Sequence, residues 1–202
     1  MTANEIADSV RTGKIDLLLD TNALWSIKRL RRLCNCVQRL NEARTADDRI
    51  QLYVSAASHA EKLFDLAQEN RDRYDERLIN QGLERMGLTI VAFDRAHAAA
   101  TATLLGSTYP DRTAWHQAKR KQCMACLGID ENKLPVPVLG SGKGCGATID
   151  WLIAGHAMAA GCILVTDDRG VEFRRVERRV KLGILEQALE QALDAATSAP
   201  SP

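Results

Sequence analysis

Ile15-Asp16-Leu17-Leu18-Leu19-Asp20-Thr21-Asn22 is the stretch that decides the fold. A short apolar run of this kind is the pattern of a strand covered on both faces, as in a parallel sheet packed between helices. It stops at Asp20, which puts an acid at the strand's carboxyl end. From about 22 to 43 the pattern turns helical, with Leu24, Ile27, Leu30 and Leu33 on one stripe and Lys28, Arg29, Arg31 and Arg32 beside it. Residues 51–55 read as a second strand. Ser58 with Glu61 three positions on has capping-box spacing, opening a helix to about 69. A helix over roughly 71–86, a third strand over 89–93 and an Ala-rich helix over 94–106 follow. Periodicity then breaks across 107–147, which carries several Pro and Gly and a short helical piece around 113–127. Order returns with a helix over 149–160, a fourth strand over 162–166, and a helix over 184–196 marked by Leu185, Leu189 and Leu193. The alternation predicts an α/β sandwich around a mostly parallel sheet. It forms one domain over 1–196, with an insertion at about 107–147 and a flexible tail at 197–202.

Composition bounds the rest. The chain has 202 residues, 46% of them apolar and 26% charged, which is enough to bury a core and excludes disorder as a class. Lys plus Arg is 27 against 26 for Asp plus Glu, a formal net charge of +1. Any polyanion must therefore be held by local patches and bound cations, because the global field is weak. No run of 18 apolar residues exists, and residues 1–10 lack a basic start followed by an apolar stretch, so a cytoplasmic protein without a membrane span is expected. Six Cys are too sparse for a disulfide scaffold, and the thiols are expected to be reduced.

The acids fall in a pattern. In a parallel sheet the ligand site opens at the carboxyl ends of the strands. Asp20 ends the first strand, and Asp167 and Asp168 follow the fourth. Thr148 would cap the helix over 149–160, setting Asp150 in its first turn, and Glu61 lies one turn into the helix after the second strand. Each acid has a local explanation: a turn at Asp20 and at Asp167-Asp168, the helix dipole at Asp150, the capping box at Glu61. Together they are harder to explain that way. Two like charges at about 4 Å repel by roughly 4 kcal/mol at an effective dielectric near 20, so four gathered acids must raise their pKa values or hold a cation. An all-oxygen set without His or thiolate favours Mg²⁺ or Mn²⁺. A hard ion beside basic flanks suits phosphodiester hydrolysis. Asn22 and Thr166 would orient a metal-bound water or a carboxylate.

Leu17–Asn22, Val54-Ser55 with Glu61, Asp150-Trp151-Leu152-Ile153-Ala154-Gly155-His156-Ala157, and Leu164–Asp168 with Phe173 together resemble the PIN-domain nucleases, above all the VapC-type toxins of type II toxin–antitoxin systems. The resemblance covers about 15–106 and 148–184. It implies a PIN-like three-layer α/β/α sandwich and a Mg²⁺- or Mn²⁺-dependent endoribonuclease. It also implies a homodimer, an RNA substrate and a cognate antitoxin that inhibits the enzyme. Carried over residue by residue, the family's acids fall on Asp20, Glu61, Asp150 and Asp168, with Asp167 in reserve. The insertion has no counterpart in the compact members. The alternative is a PIN-like module that has lost catalysis and only binds RNA or protein.

Weaker signals lie elsewhere. Where a Walker A loop needs its first glycine and its hydroxyl, residues 137 and 144 are Pro137 and Gly144, so Lys143 suits at most a phosphate of an RNA backbone. Lys119, Arg120 and Lys121 form a second candidate RNA contact, with Trp115 available to stack a base. Residues 28–32 and 174–181 are the other basic clusters. Cys123 and Cys126, like Cys34 and Cys36, lack the partners of a zinc site and read as small apolar residues.

Overall fold

The structure is a computed structural model that describes residues 1–126 and 148–198, the side chains of 120–126 and 198 excepted. Its elements run α1 Ala3–Thr12, β1 Ile15–Leu19, α2 Thr21–Leu24, α3 Ile27–Glu42, β2 Ile50–Ser55, α4 Ala56–Asn70, α5 Glu76–Arg85 and β3 Leu88–Val91. They continue with α6 Arg95–Thr108, α7 Arg112–Cys126, α8 Ile149–Ala160, β4 Ile163–Val165, α9 Val171–Arg174, β5 Arg179–Val180 and α10 Leu182–Ser198. The five strands form one sheet in the order β3-β2-β1-β4-β5, and every pairing is parallel. The chain winds outward from β1 through β2 to β3, then returns to β1's other side for β4 and β5. The order thus reverses between β1 and β4, the place where an open α/β sheet leaves a crevice at its carboxyl edge.

Side chains on β1 alternate between two cores. Leu17 and Leu19 join Ile163 and Val165 against α1, α3 and α10, where Ile6, Leu30, Leu33, Leu185 and Leu189 are buried. Leu18 and Leu164 point the other way, onto Trp151, Ile153, Leu104 and Phe173. Burial on both faces explains why the run 15–19 is almost continuously apolar, and each such leucine contributes about 1.5–3 kcal/mol. The sheet is therefore the middle of three layers, as the sequence resemblance implies. The stripe at Leu185 and Leu189 packs against the body. Among the described residues no helix is long and apolar enough to cross a membrane.

Several expectations about boundaries are corrected. The helix expected over 22–43 is two helices, broken at Trp25-Ser26. Ile27, assigned to the buried stripe, is 48% exposed, because the break rotates it away from Leu24 and Leu30. Ser55, not Ser58, caps α4: its hydroxyl accepts the Ala57 N–H at 3.2 Å, and Ser58 lies fully buried inside the helix. Thr148 precedes α8 but makes no side-chain cap bond. The helix expected over 71–86 is α5, preceded by a single 3₁₀ turn at Arg71–Arg73. Three elements go unforeseen: α1, α9 and the two-residue strand β5. The last helix runs to Ser198, further than expected, and residues 199–202 of the expected tail lie outside the described residues.

The first part of the proposed insertion is ordered body. α6 continues to Thr108, and Tyr109 and Trp115 pack on Trp151 with ring centroids 5.7 and 5.9 Å away. Residues 127–147, and with them Lys143, lie outside the described residues.

Two glycines shape the path to the site. Gly161 closes α8 in the left-handed region (φ 64°), its N–H reaching the Ala157 and Met158 carbonyls, which turns the chain into β4. Gly155 lets α8 approach α6 closely: a Cβ there would meet the Thr101 Cα at 2.8 Å.

Candidate functional site

Asp20 lies at the centre of the crevice. β1 ends at Leu19, the Asp20 N–H bonds to the Val165 carbonyl at 3.0 Å, and the residue is 2% exposed. Its carboxylate accepts three hydrogen bonds. The Thr21 N–H donates to Oδ1 at 2.7 Å, while the Thr166 hydroxyl and the Asn22 amide donate to Oδ2 at 2.7 and 2.9 Å. The Asn22 amide also reaches the Thr166 hydroxyl at 3.2 Å. Asn22 and Thr166 thus both hold the Asp20 carboxylate. Each comes from the end of a central strand, β1 or β4.

Glu61 is reached from the same loop. The Thr21 hydroxyl donates to its Oε2 at 2.6 Å. With α4 capped by Ser55, Glu61 lies outside any capping box, and the local explanation for it falls away. Asp150 sits in the first turn of α8 as expected. Asp168 follows β4, and its N–H donates to the Thr166 hydroxyl at 3.1 Å.

Electrostatics ties the acids together. Burial raises Asp20 to about 7 against the stabilising bonds from Thr166 and Thr21, and the charges of Asp168 and Glu61 raise it further. Burial likewise raises Asp150 to about 8, assisted by Asp20, Glu172, Glu61 and Asp168. Asp20, Glu61, Asp150 and Asp168 are thus gathered at one rim from four separate segments. Asp167 is not among them. Its carboxylate accepts the Leu182 N–H at 3.3 Å and caps α10, while its own N–H donates to the Asn22 side chain at 3.4 Å.

Sequence reasoning missed Glu172. It is 4% exposed, folds back over Gly170, and is pushed up by burial and by Asp168. No local signal marks it, because α9 is a single turn of four residues and Asp168 lies outside it. Thr21 was missed too, although a hydroxyl between two acids on a strand end is a natural spacer.

The donor set is all oxygen and suits a hard divalent cation. Among the described residues no three acidic, His or Cys side chains stand close enough to grip an ion as they are. Asp20 is held by its three donors and Glu61 by the Thr21 hydroxyl, so side-chain rotation at Asp150 and Asp168 would have to close the set.

The other candidates lie apart. Lys119 stands over the Trp115 ring, 5.7 Å from its centroid, and Trp115 faces Tyr109 and Trp151 in the core cluster. The ring expected to stack a base is half-buried among aromatics. Arg120, Lys121, Cys123 and Cys126 have no described side chains. His156, buried at 2% exposure, contacts the Ser55 hydroxyl through Nδ1 at 3.1 Å and stacks near His97, so it belongs to the α6–α8 packing.

No protein-family model matches the sequence, and no curated protein matches it. Several solved structures are similar, two of them as follows. One is a DNA-bound VapBC from Salmonella typhimurium, with 17% identity, a TM-score of 0.47, and coverage of 83% of this chain and 98% of that one. The other is VapBC2 from Rickettsia felis bound to a DNA fragment from their promoter, with 18% identity, a TM-score of 0.47, and coverage of 83% and 97%.

Proposed function

We propose that this chain is a Mg²⁺- or Mn²⁺-dependent endoribonuclease acting as the toxin of a toxin–antitoxin pair. One observation carries the reading: a buried Asp20, held by three donors where β1 and β4 part, feels the charges of Glu61 and Asp168, and Asp150 feels all three. A purely structural fold has no reason to collect mutually repelling groups where the sheet opens. The order of the motifs supplies the substrate class and the antitoxin partner.

Asp20, Glu61, Asp150 and Asp168 are the residues that would hold the ion, with Glu172 behind them. A bound divalent cation supplies a water acidic enough to attack at neutral pH and screens charge on the phosphate. Asn22 and Thr166 keep Asp20 aimed at the crevice and Thr21 holds Glu61, so half the ligand set is preorganised by neutral groups. Asp150 and Asp168 remain to be drawn in.

Asp20→Asn is expected to abolish RNA cleavage and growth inhibition while leaving the far-UV circular dichroism unchanged. Full cleavage by the folded variant refutes the mechanism. The wider spacing of the acids favours a second reading, a module of the same fold that binds RNA or protein without catalysis. Mn²⁺ titration separates the two. The nuclease predicts saturable thermal stabilisation that Asp20→Asn removes, and the inactive module predicts none.

A further inference from the structure

Beside the acid rim lies a cleft of ≈ 380 Å³ lined by Arg169, Arg174, Arg179 and Lys181 together with Asp168 and Thr166. Arg169 is the next residue after Asp168. Arg174 ends α9, Arg179 lies in β5, and Lys181 leads into α10, so three turns of chain bring four cations to one wall. Like charges crowded this way normally find carboxylates. Among the described residues none of the four forms an ion pair, and the only side-chain bond of Arg174 goes from Nε to the Arg169 carbonyl at 2.9 Å. Arg29 is by contrast committed to Glu186 at 2.7 Å. The four cations therefore await an anion from outside.

We infer that this cleft is the track for the RNA backbone flanking the scissile phosphate. The inference rests on the nuclease reading, and it adds where the strand runs and how it is gripped. Three of the four cations are Arg, whose planar fork matches phosphate oxygens two at a time. The cleft begins at Asp168 and Thr166, so a strand lying in it presents its next phosphate to the acids. Val180 and Ile184 supply its apolar lining, and no aromatic side chain among the described residues lines it. It therefore has nothing on which a base can stack, and the grip falls on the backbone without regard to sequence. Base preference must arise elsewhere on the protein.

The test uses the full chain carrying Asp20→Asn to suppress cleavage, and fluorescence anisotropy of short labelled oligouridylate and oligoadenylate over a range of salt. Arg169 and Lys181 are both exposed, so Arg169→Gln with Lys181→Gln removes two charges without touching the core. The expected result is binding weakened about tenfold at low salt, equally for both oligonucleotides. The slope of log affinity against log salt should flatten by about 1.4, since each phosphate contact on a single strand contributes about 0.7. Arg169→Lys alone, which keeps both charges, should leave the slope unchanged. An unchanged slope and affinity in the double variant overturns the track. So does groove-dependent binding of a labelled oligoglutamate when oligouridylate binding is unaffected, which would make the cleft a dock for an acidic protein segment. Loss of the nuclease reading shows separately, in wild-type protein that neither cleaves RNA nor gains stability with Mn²⁺.

Discussion

Removing the charge of Asp150 should make the metal-free protein more stable. An ordinary Asp titrates near 3.8 when unfolded, while burial and the surrounding acids hold Asp150 at about 8 in the folded state. The folded state therefore holds a proton that the unfolded state has lost, and stability falls as pH rises from 3.8 towards 8. At pH 7 the gap is about three pH units at about 1.4 kcal/mol each, an upper limit of roughly 4 kcal/mol. The charge of Asp20 is part of what raises Asp150, so about half of that figure is assigned to Asp150 alone. Among the described residues Asp150 makes no side-chain hydrogen bond, unlike Asp20, so Asp150→Asn tests the charge. Thermal unfolding in EDTA should show the variant melting above wild type by about 2–4 °C per kcal/mol. The difference should shrink towards pH 4 and grow to pH 8. With saturating Mn²⁺ the order should reverse, because only wild type gains a ligand-linked stabilisation. A variant that is no more stable than wild type at pH 8 in EDTA, or whose advantage does not vary with pH, refutes the electrostatic reasoning.

Gly155→Ala should lower stability by about 1–3 kcal/mol in urea denaturation, because its methyl meets the Thr101 backbone between α6 and α8. Asp167→Ala should lose about 1 kcal/mol of stability, the loss of a cap on α10, whereas Asp168→Ala should instead reduce RNA cleavage. Burial, aided by the neighbouring His97, holds His156 down at about 4. Its neutral form is therefore fully stabilising above pH 6.5, and that contribution is lost as pH falls towards 4. His156→Gln should flatten the acid limb of the denaturation midpoint against pH across that window, and an unchanged limb would count against the assignment.

What the sequence disclosed follows from which contacts are local. The strand 15–19 and the helix 149–160 stand out because a two-sided core demands continuous apolar residues, and strand ends mark the rim where acids must lie. Asp20 could be placed at that rim from its strand end, and Glu61 and Asp150 from the helices that start there. Asp167 and Asp168 could not be separated by pattern. Only the Leu182 N–H, fifteen residues on, claims Asp167 and leaves Asp168 for the rim. β5 was hidden because its two residues, Arg179 and Val180, carry no period and pair only once β4 is beside them. The helical stripe over 22–43 concealed the break at Trp25-Ser26, since the apolar spacing runs across it. Glu172 was obscured by its position: a buried acid next to Phe173 in a four-residue helix has no sequence signature of its own.

All five strands point the same way, and that has an evolutionary corollary. Residues that fill the layers and residues that project from the strand tips occupy different registers, so drift in one set leaves the other untouched. A lineage built on this plan can exchange nearly every hydrophobic identity and still keep a handful of side chains at the tips. Kinship among such chains is therefore written at the ends of the strands, and comparison of those few positions carries more information than alignment along the whole length.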